Sequence, residues 1–137
     1  MAFKLHAQLQ QDTILIADLA LSKLLIMNDS RYPWFILVPR IENAVEWHNL
    51  SEQHQSQLFT ETMQVAKIVS AMPNIKKINI GALGNVVSQL HVHIIGRNAR
   101  DEAWPKPVWG IGNAVQYEAE AAATLIAKIK TVLGFHP

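Results

Sequence analysis

At 137 residues, half of them hydrophobic and 17% charged, the chain is sized for one domain and too apolar for disorder. A formal charge of +1 supplies no field for nucleic acid or an acidic membrane, and the lack of cysteine excludes disulfides, thiolate nucleophiles and cysteine-bound zinc. The N-terminal MAFKLHAQLQQDT lacks the basic-then-apolar pattern of a signal peptide. The apolar segment 14–27 is broken by Asp18, Ser22 and Lys23 and is too short to span a bilayer. The expectation is a single soluble, cytoplasmic domain over residues 1–137, with no nucleic-acid and no membrane partner.

Three apolar runs come first, TILIADL (13–19), SKLLIMN (22–28) and WFILVPR (34–40). Their Ile, Leu and Val content and brief polar or Pro-containing separators predict consecutive strands. Residues 51–72 then predict a helix, with an apolar stripe of Leu58, Met63, Val65, Ala66, Ile68, Val69 and Met72 and with Gln, Glu and Thr on the other face. Asn49 or Ser51 caps it and Pro73 stops it. Two more strands are predicted at 76–84 and 89–97. A Pro/Trp-rich loop, AWPKPVWG (103–110), leads to a second helix from Asn113 to before Gly134, with the stripe Tyr117, Ala121, Leu125, Ile129 and Val132. The order β-β-β-α-β-β-α with short connections predicts an α+β domain on an antiparallel sheet.

The chemistry concentrates in SQLHVHII (88–95). Side chains alternate along a strand, so Leu90, Val92 and Ile94 form a core face, while Gln89, His91 and His93 form a row on the other, about 7 Å apart. Three readings follow. The row is half-exposed on an outer sheet face; or the two imidazoles share a metal ion; or an imidazole, largely neutral at pH 7, acts as a nucleophile. A metal needs a third ligand, and the other histidines are scattered at 6, 48, 54 and 136.

GNVVSQLHVHIIGR resembles the signature of the histidine triad superfamily, His-φ-His-φ-His-φ-φ with φ apolar, in a branch where Gln89 replaces the first histidine. The resemblance implies a histidine triad-like fold, a five-stranded antiparallel sheet with two main helices, and a homodimer. It implies a nucleotidyl hydrolase or transferase that needs no metal and no other cofactor. Its substrates would be nucleotides: nucleoside phosphates, phosphoramidates or dinucleoside polyphosphates. His91 matches the covalent nucleophile, His93 the residue that bonds the phosphate or assists the leaving group, and Gln89 joins them in the catalytic row. Asn85 falls where many members carry a glutamine near the scissile phosphate, and Val86 where many carry Ser or Thr. Asn28 or Asp29 matches the ribose contact, and Phe35 stands where a histidine often follows. Trp104 and Trp109 either stack on a base and close the pocket, or bury against the sheet or a second subunit. Arg97, on the face of His93 by parity, pairs with phosphate or is solvated. The rival reading is a nucleotide-binding or sensing module with little turnover.

Overall fold

The computed structural model describes residues 2–135; His136 lies outside them. The first three apolar runs form β1 (Thr13–Asp18), β2 (Ser22–Met27) and β3 (Trp34–Pro39), joined by tight turns. The later pair forms β4 (Lys77–Gly81) and β5 (Val92–Arg97). The sheet runs β1-β2-β3-β5-β4 with every neighbouring pair antiparallel. The domain is thus the α+β, five-stranded antiparallel sheet expected. One short helix went unread in the sequence: α1 (Ala7–Asp12), capped where the His6 Nδ1 accepts from the Gln8 N–H at 3.0 Å.

Helix α2 (Glu52–Ser70) takes Ser51 as its cap, the hydroxyl accepting from the His54 N–H. Its stripe of Leu58, Val65 and Val69 packs on Leu24, Ile26, Phe35, Leu37, Leu90, Val92 and Ile94. The core parity of Leu90, Val92 and Ile94 is therefore as the alternation requires. The polar face of α2 is not wholly solvated, however. Glu61 is buried, and its carboxylate accepts from the Leu21 and Ser22 N–H groups at 2.8 and 3.1 Å, fixing the β1–β2 turn.

Helix α3 (Ala119–Val132) begins six residues later than the sequence predicts. Residues 113–118 stay outside the helix, their backbone tied to the β2–β3 turn: Asn28 Oδ1 accepts from the Tyr117 N–H, Asp29 Oδ1 from that of Val115, and the Ser30 N–H donates to the Val115 carbonyl. The inner stripe of α3 consequently runs through Ala122, Leu125, Ile126 and Ile129, leaving Ala121 and Val132 outside.

The opposite sheet face is covered as well, by loops and by the N-terminal segment with its short helix α1. Leu25, Trp34, Ile36, Val38 and Ile95 pack there under Leu9, Tyr32, Val87, Ala103 and Val108, with Phe3, Leu5, Trp109 and Ile111 at the margin. The histidine row lies inside this second layer. It is not the half-exposed outer face that one reading of the alternation offers.

Candidate active site

Strand β5 pairs with β3 only from Val92 opposite Leu37 onward, so the ladder begins at Val92 and not at Gln89. Pro39 ends β3, and the Leu90 N–H turns instead to the Ala44 carbonyl at 2.9 Å. His91 therefore stands at the lip of the sheet and His93 within it. Both are buried, at 8% and 5% exposure, with ring centroids 4.9 Å apart.

Hydrogen-bond partners determine which nitrogen of each ring carries the proton. His91 Nδ1 lies 2.7 Å from the Gln89 carbonyl oxygen. A carbonyl only accepts, so Nδ1 holds the hydrogen and Nε2 is left with its lone pair. His93 is the reverse case. Its Nδ1 accepts from the Trp34 indole N–H at 2.9 Å in a buried bond, so a neutral ring carries its hydrogen on Nε2. Burial first, and then the repulsion that a proton on the neighbouring His91 would exert, push the His93 pKa down from 6.5 to about 3. The pair thus offers one bare imidazole nitrogen and, beside it, one neutral N–H donor.

Gln89 does not extend this arrangement. Its Oε1 accepts from the His6 N–H at 2.8 Å and its Nε2 donates to the Lys4 carbonyl at 2.9 Å, so both ends of the amide clasp the N-terminal segment. Asn85 and Val86 are exposed in the loop before β5, Val86 at 94%.

A cleft of about 560 Å³ opens on the far side of Trp34 and Trp109, the two indoles that pack against His93. Asn28, Asp29, Arg31, Trp34 and Trp109 are among the residues that line it. Trp109 packs edge-on against both His93 and Trp34, at centroid distances of 5.1 and 6.2 Å, so it both buries against the sheet and lines the cleft. Trp104 stays partly exposed, 5.7 Å from the Arg97 guanidinium. The two candidate ribose contacts differ. Asp29 is buried with both oxygens on Arg31, whose hydrogen bonds outweigh the upward push of burial and hold its carboxyl below the usual 3.8. Asn28 is half-buried, and its Oδ1 is taken by Tyr117.

Two expectations need correction. Arg97 is not solvated: it is 1% exposed, forked onto both oxygens of Asp101 at 2.8 and 3.0 Å, and bonded to Asn79 Oδ1 and the Lys106 carbonyl. Phe35 does not face the site either, because it packs in the core under α2, and Trp34 is the β3 side chain that reaches His93. Trp34 and Arg31 were missed as site residues. Parity along WFIL was the available signal, since Trp34 and His93 share a face once β3 lies beside β5. Among the described residues, no group of three or more His, Cys, Asp or Glu side chains is placed to hold a metal ion. None of their helices is long and apolar enough to cross a membrane.

Comparison with known proteins supplies the context for this geometry. The family model of the HIT domain matches residues 8–100. Among solved structures, a histidine triad protein from Bradyrhizobium japonicum is 45% identical, covering 96% of this chain and 98% of that one, with a TM-score of 0.93. One from Marinobacter aquaeolei is 38% identical, covers 98% of each chain and has a TM-score of 0.94. One from Sinorhizobium meliloti is 43% identical over 94% of this chain and 96% of that one, with a TM-score of 0.91. No curated protein matches.

Proposed function

The chain belongs to the HIT domain family, and on that premise we propose that it is a nucleotidyl hydrolase or transferase working through a covalent bond to His91. The observation that carries this reading is the His91 hydrogen bond to the Gln89 carbonyl, which leaves Nε2 bare beside a neutral donor on His93. His91 Nε2 attacks the α-phosphorus, the bond to the leaving group breaks, and the electron pair departs with that group. The hydrogen stays on His91 Nδ1, donated to the Gln89 carbonyl, which supports the positive charge that forms on the ring. Water then attacks phosphorus, the P–N bond breaks, its pair returns to Nε2, and one water proton passes to solvent. His93 Nε2–H and backbone amides stabilise the phosphoryl oxygens.

The nucleoside occupies the cleft between the Asn28 turn and Trp109. Asn28 keeps its amide N–H₂ for the ribose while Oδ1 holds Tyr117, and Asp29 serves as the buried anchor of Arg31. The machinery needs no metal. The protein is a cytoplasmic homodimer, formed along the β4 edge where Ile80 and Leu83 are exposed. Incubation with nucleoside phosphoramidates and dinucleoside polyphosphates tests the reading: release of the mononucleotide is expected. Tight binding without release would favour a nucleotide-sensing module instead.

A further inference from the structure

Resting on the reading of His91 as nucleophile, we infer that this site turns over substrates whose leaving group departs as a stable anion and discriminates against those that must be protonated as they leave, because Trp34 holds His93 as a fixed hydrogen-bond donor and not as a proton carrier.

His93 is the side chain next to the nucleophile, and a relay through it would load a proton at Nδ1 while Nε2 gives one up. The Trp34 indole closes that route. Its N–H sits 2.9 Å from Nδ1 in a buried bond, and an indole N–H donates only. Other surroundings of His93 offer no substitute. Trp109 packs on it from the loop, and β3 and β4 set Ile36 and Gly81 opposite it in register. Among the described residues, His91 is the titratable group whose charge reaches it. Across the cleft, Asp29 and Glu102 are paired with Arg31. Gln89 is neutral and clasps the N-terminal segment. The imidazole that could rival His93 is His6, exposed beside Lys4 and Gln89 along a smaller cleft of about 330 Å³, with its Nδ1 capping α1, while Asp12 lines the larger cleft and accepts from the Gln8 side-chain amide.

The chemical consequence lies in the first step. When His91 Nε2 bonds to phosphorus and a phosphate or nitrophenolate leaves, the electron pair rests on an oxygen that needs no proton near neutral pH. When an alkylamine leaves, the P–N pair falls on a strongly basic nitrogen, and a proton must arrive as the bond breaks. Here that proton comes from bulk water. Trp34 is thus a positioning residue that sets leaving-group preference.

The test uses the full chain with aryl esters of one nucleoside 5′-monophosphate, graded from nitrophenol to phenol, and the alkyl phosphoramidate of the same nucleoside. Single-turnover formation of the nucleotidyl adduct is followed by rapid-quench mass spectrometry. The rate should fall steadily as the leaving group becomes more basic, with the phosphoramidate slower than the nitrophenyl ester by about 10²-fold or more, the scale of a missing general acid. Trp34→His gives His93 a partner able to exchange protons. It should raise the phosphoramidate rate relative to the nitrophenyl ester and add an acid limb to the pH profile. A flat series in the wild type overturns the inference, as does a flat series that becomes steep in His6→Gln, which would make His6 the acid. Adduct with no substrate overturns the His91 reading and this inference together, whereas adduct with a flat series overturns this inference alone.

Discussion

His93 is neutral in the folded site, with its pKa at about 3, whereas the unfolded chain takes up that proton near 6.5. Below pH 6.5 the unfolded state therefore binds a proton that the native state refuses, and stability falls as pH falls until about pH 3. The slope is roughly 1.4 kcal/mol per pH unit for one such proton. Urea unfolding at pH 7, 6 and 5 should show this loss in the wild type, and His93→Gln should flatten it by about one proton; equal slopes would contradict the account of His93. Gln89 has a different task, since its amide holds the His6 N–H and the Lys4 carbonyl. Gln89→Leu should cost about 1–2 kcal/mol, the worth of two partly exposed hydrogen bonds, and should speed hydrogen exchange at His6. Gln89→His should lose the same clasp and raise turnover less than tenfold, as measured from pH 5 to 9. At this scale the sequence was half legible. Alternation separated Leu90, Val92 and Ile94 from the two imidazoles, but nothing in SQLHVHII announced that Gln89 bonds to a segment more than eighty residues away.

Among the elements, the loop over the site is anchored by two arginines. Arg31 reaches the Ile111 carbonyl and Glu102, and Arg97 reaches Asp101 and the Lys106 carbonyl, with Tyr32 lying 5.1 and 5.7 Å from the two guanidinium groups. Arg97→Met removes one partner of a buried pair and strands the Asp101 carboxylate. A loss of about 3–5 kcal/mol is expected in denaturant unfolding, with faster proteolysis within 98–112. Burial alone would raise the Asp101 pKa, but hydrogen bonds from Arg97, Asn98 and Trp104 outweigh it and hold it below 3.8. Its contribution is therefore full above about pH 4 and lost as pH falls through the depressed value. Strand β5 also depends on close approach to α2. A Cβ on Gly96 would meet Val69 Cγ1 and Ile75 Cδ1 at 2.8 Å, so Gly96→Ala should cost about 1–3 kcal/mol by thermal unfolding. The strands were readable because Ile, Leu and Val runs between turn residues are local signals. The late start of α3 was not, because Asn28 and Asp29 hold the Val115 and Tyr117 N–H groups from far along the chain.

For the whole molecule, the order β-β-β-α-β-β-α read from hydrophobic periodicity is the order observed from β1 onward, after the unread α1, and the motif pointed to the family that the HIT domain match shows. What periodicity could not supply was the second layer, since Phe3, Leu5, Ala103, Val108 and Trp109 come from a terminus and a loop without regular repeat. That layer converts an outer sheet face into a buried site beside a cleft. The β4 edge, with Ile80 and Leu83 exposed, is where a second copy should pair. Sedimentation at micromolar concentration should give a dimer; a monomer throughout would remove that proposal. The central claim is the covalent role of His91. Rapid-quench intact-mass spectrometry of the chain mixed with a nucleotide substrate should show one added nucleotidyl mass that maps to His91 and is absent from His91→Ala. Turnover with no adduct in the wild type, or an adduct that persists in His91→Ala, would contradict it.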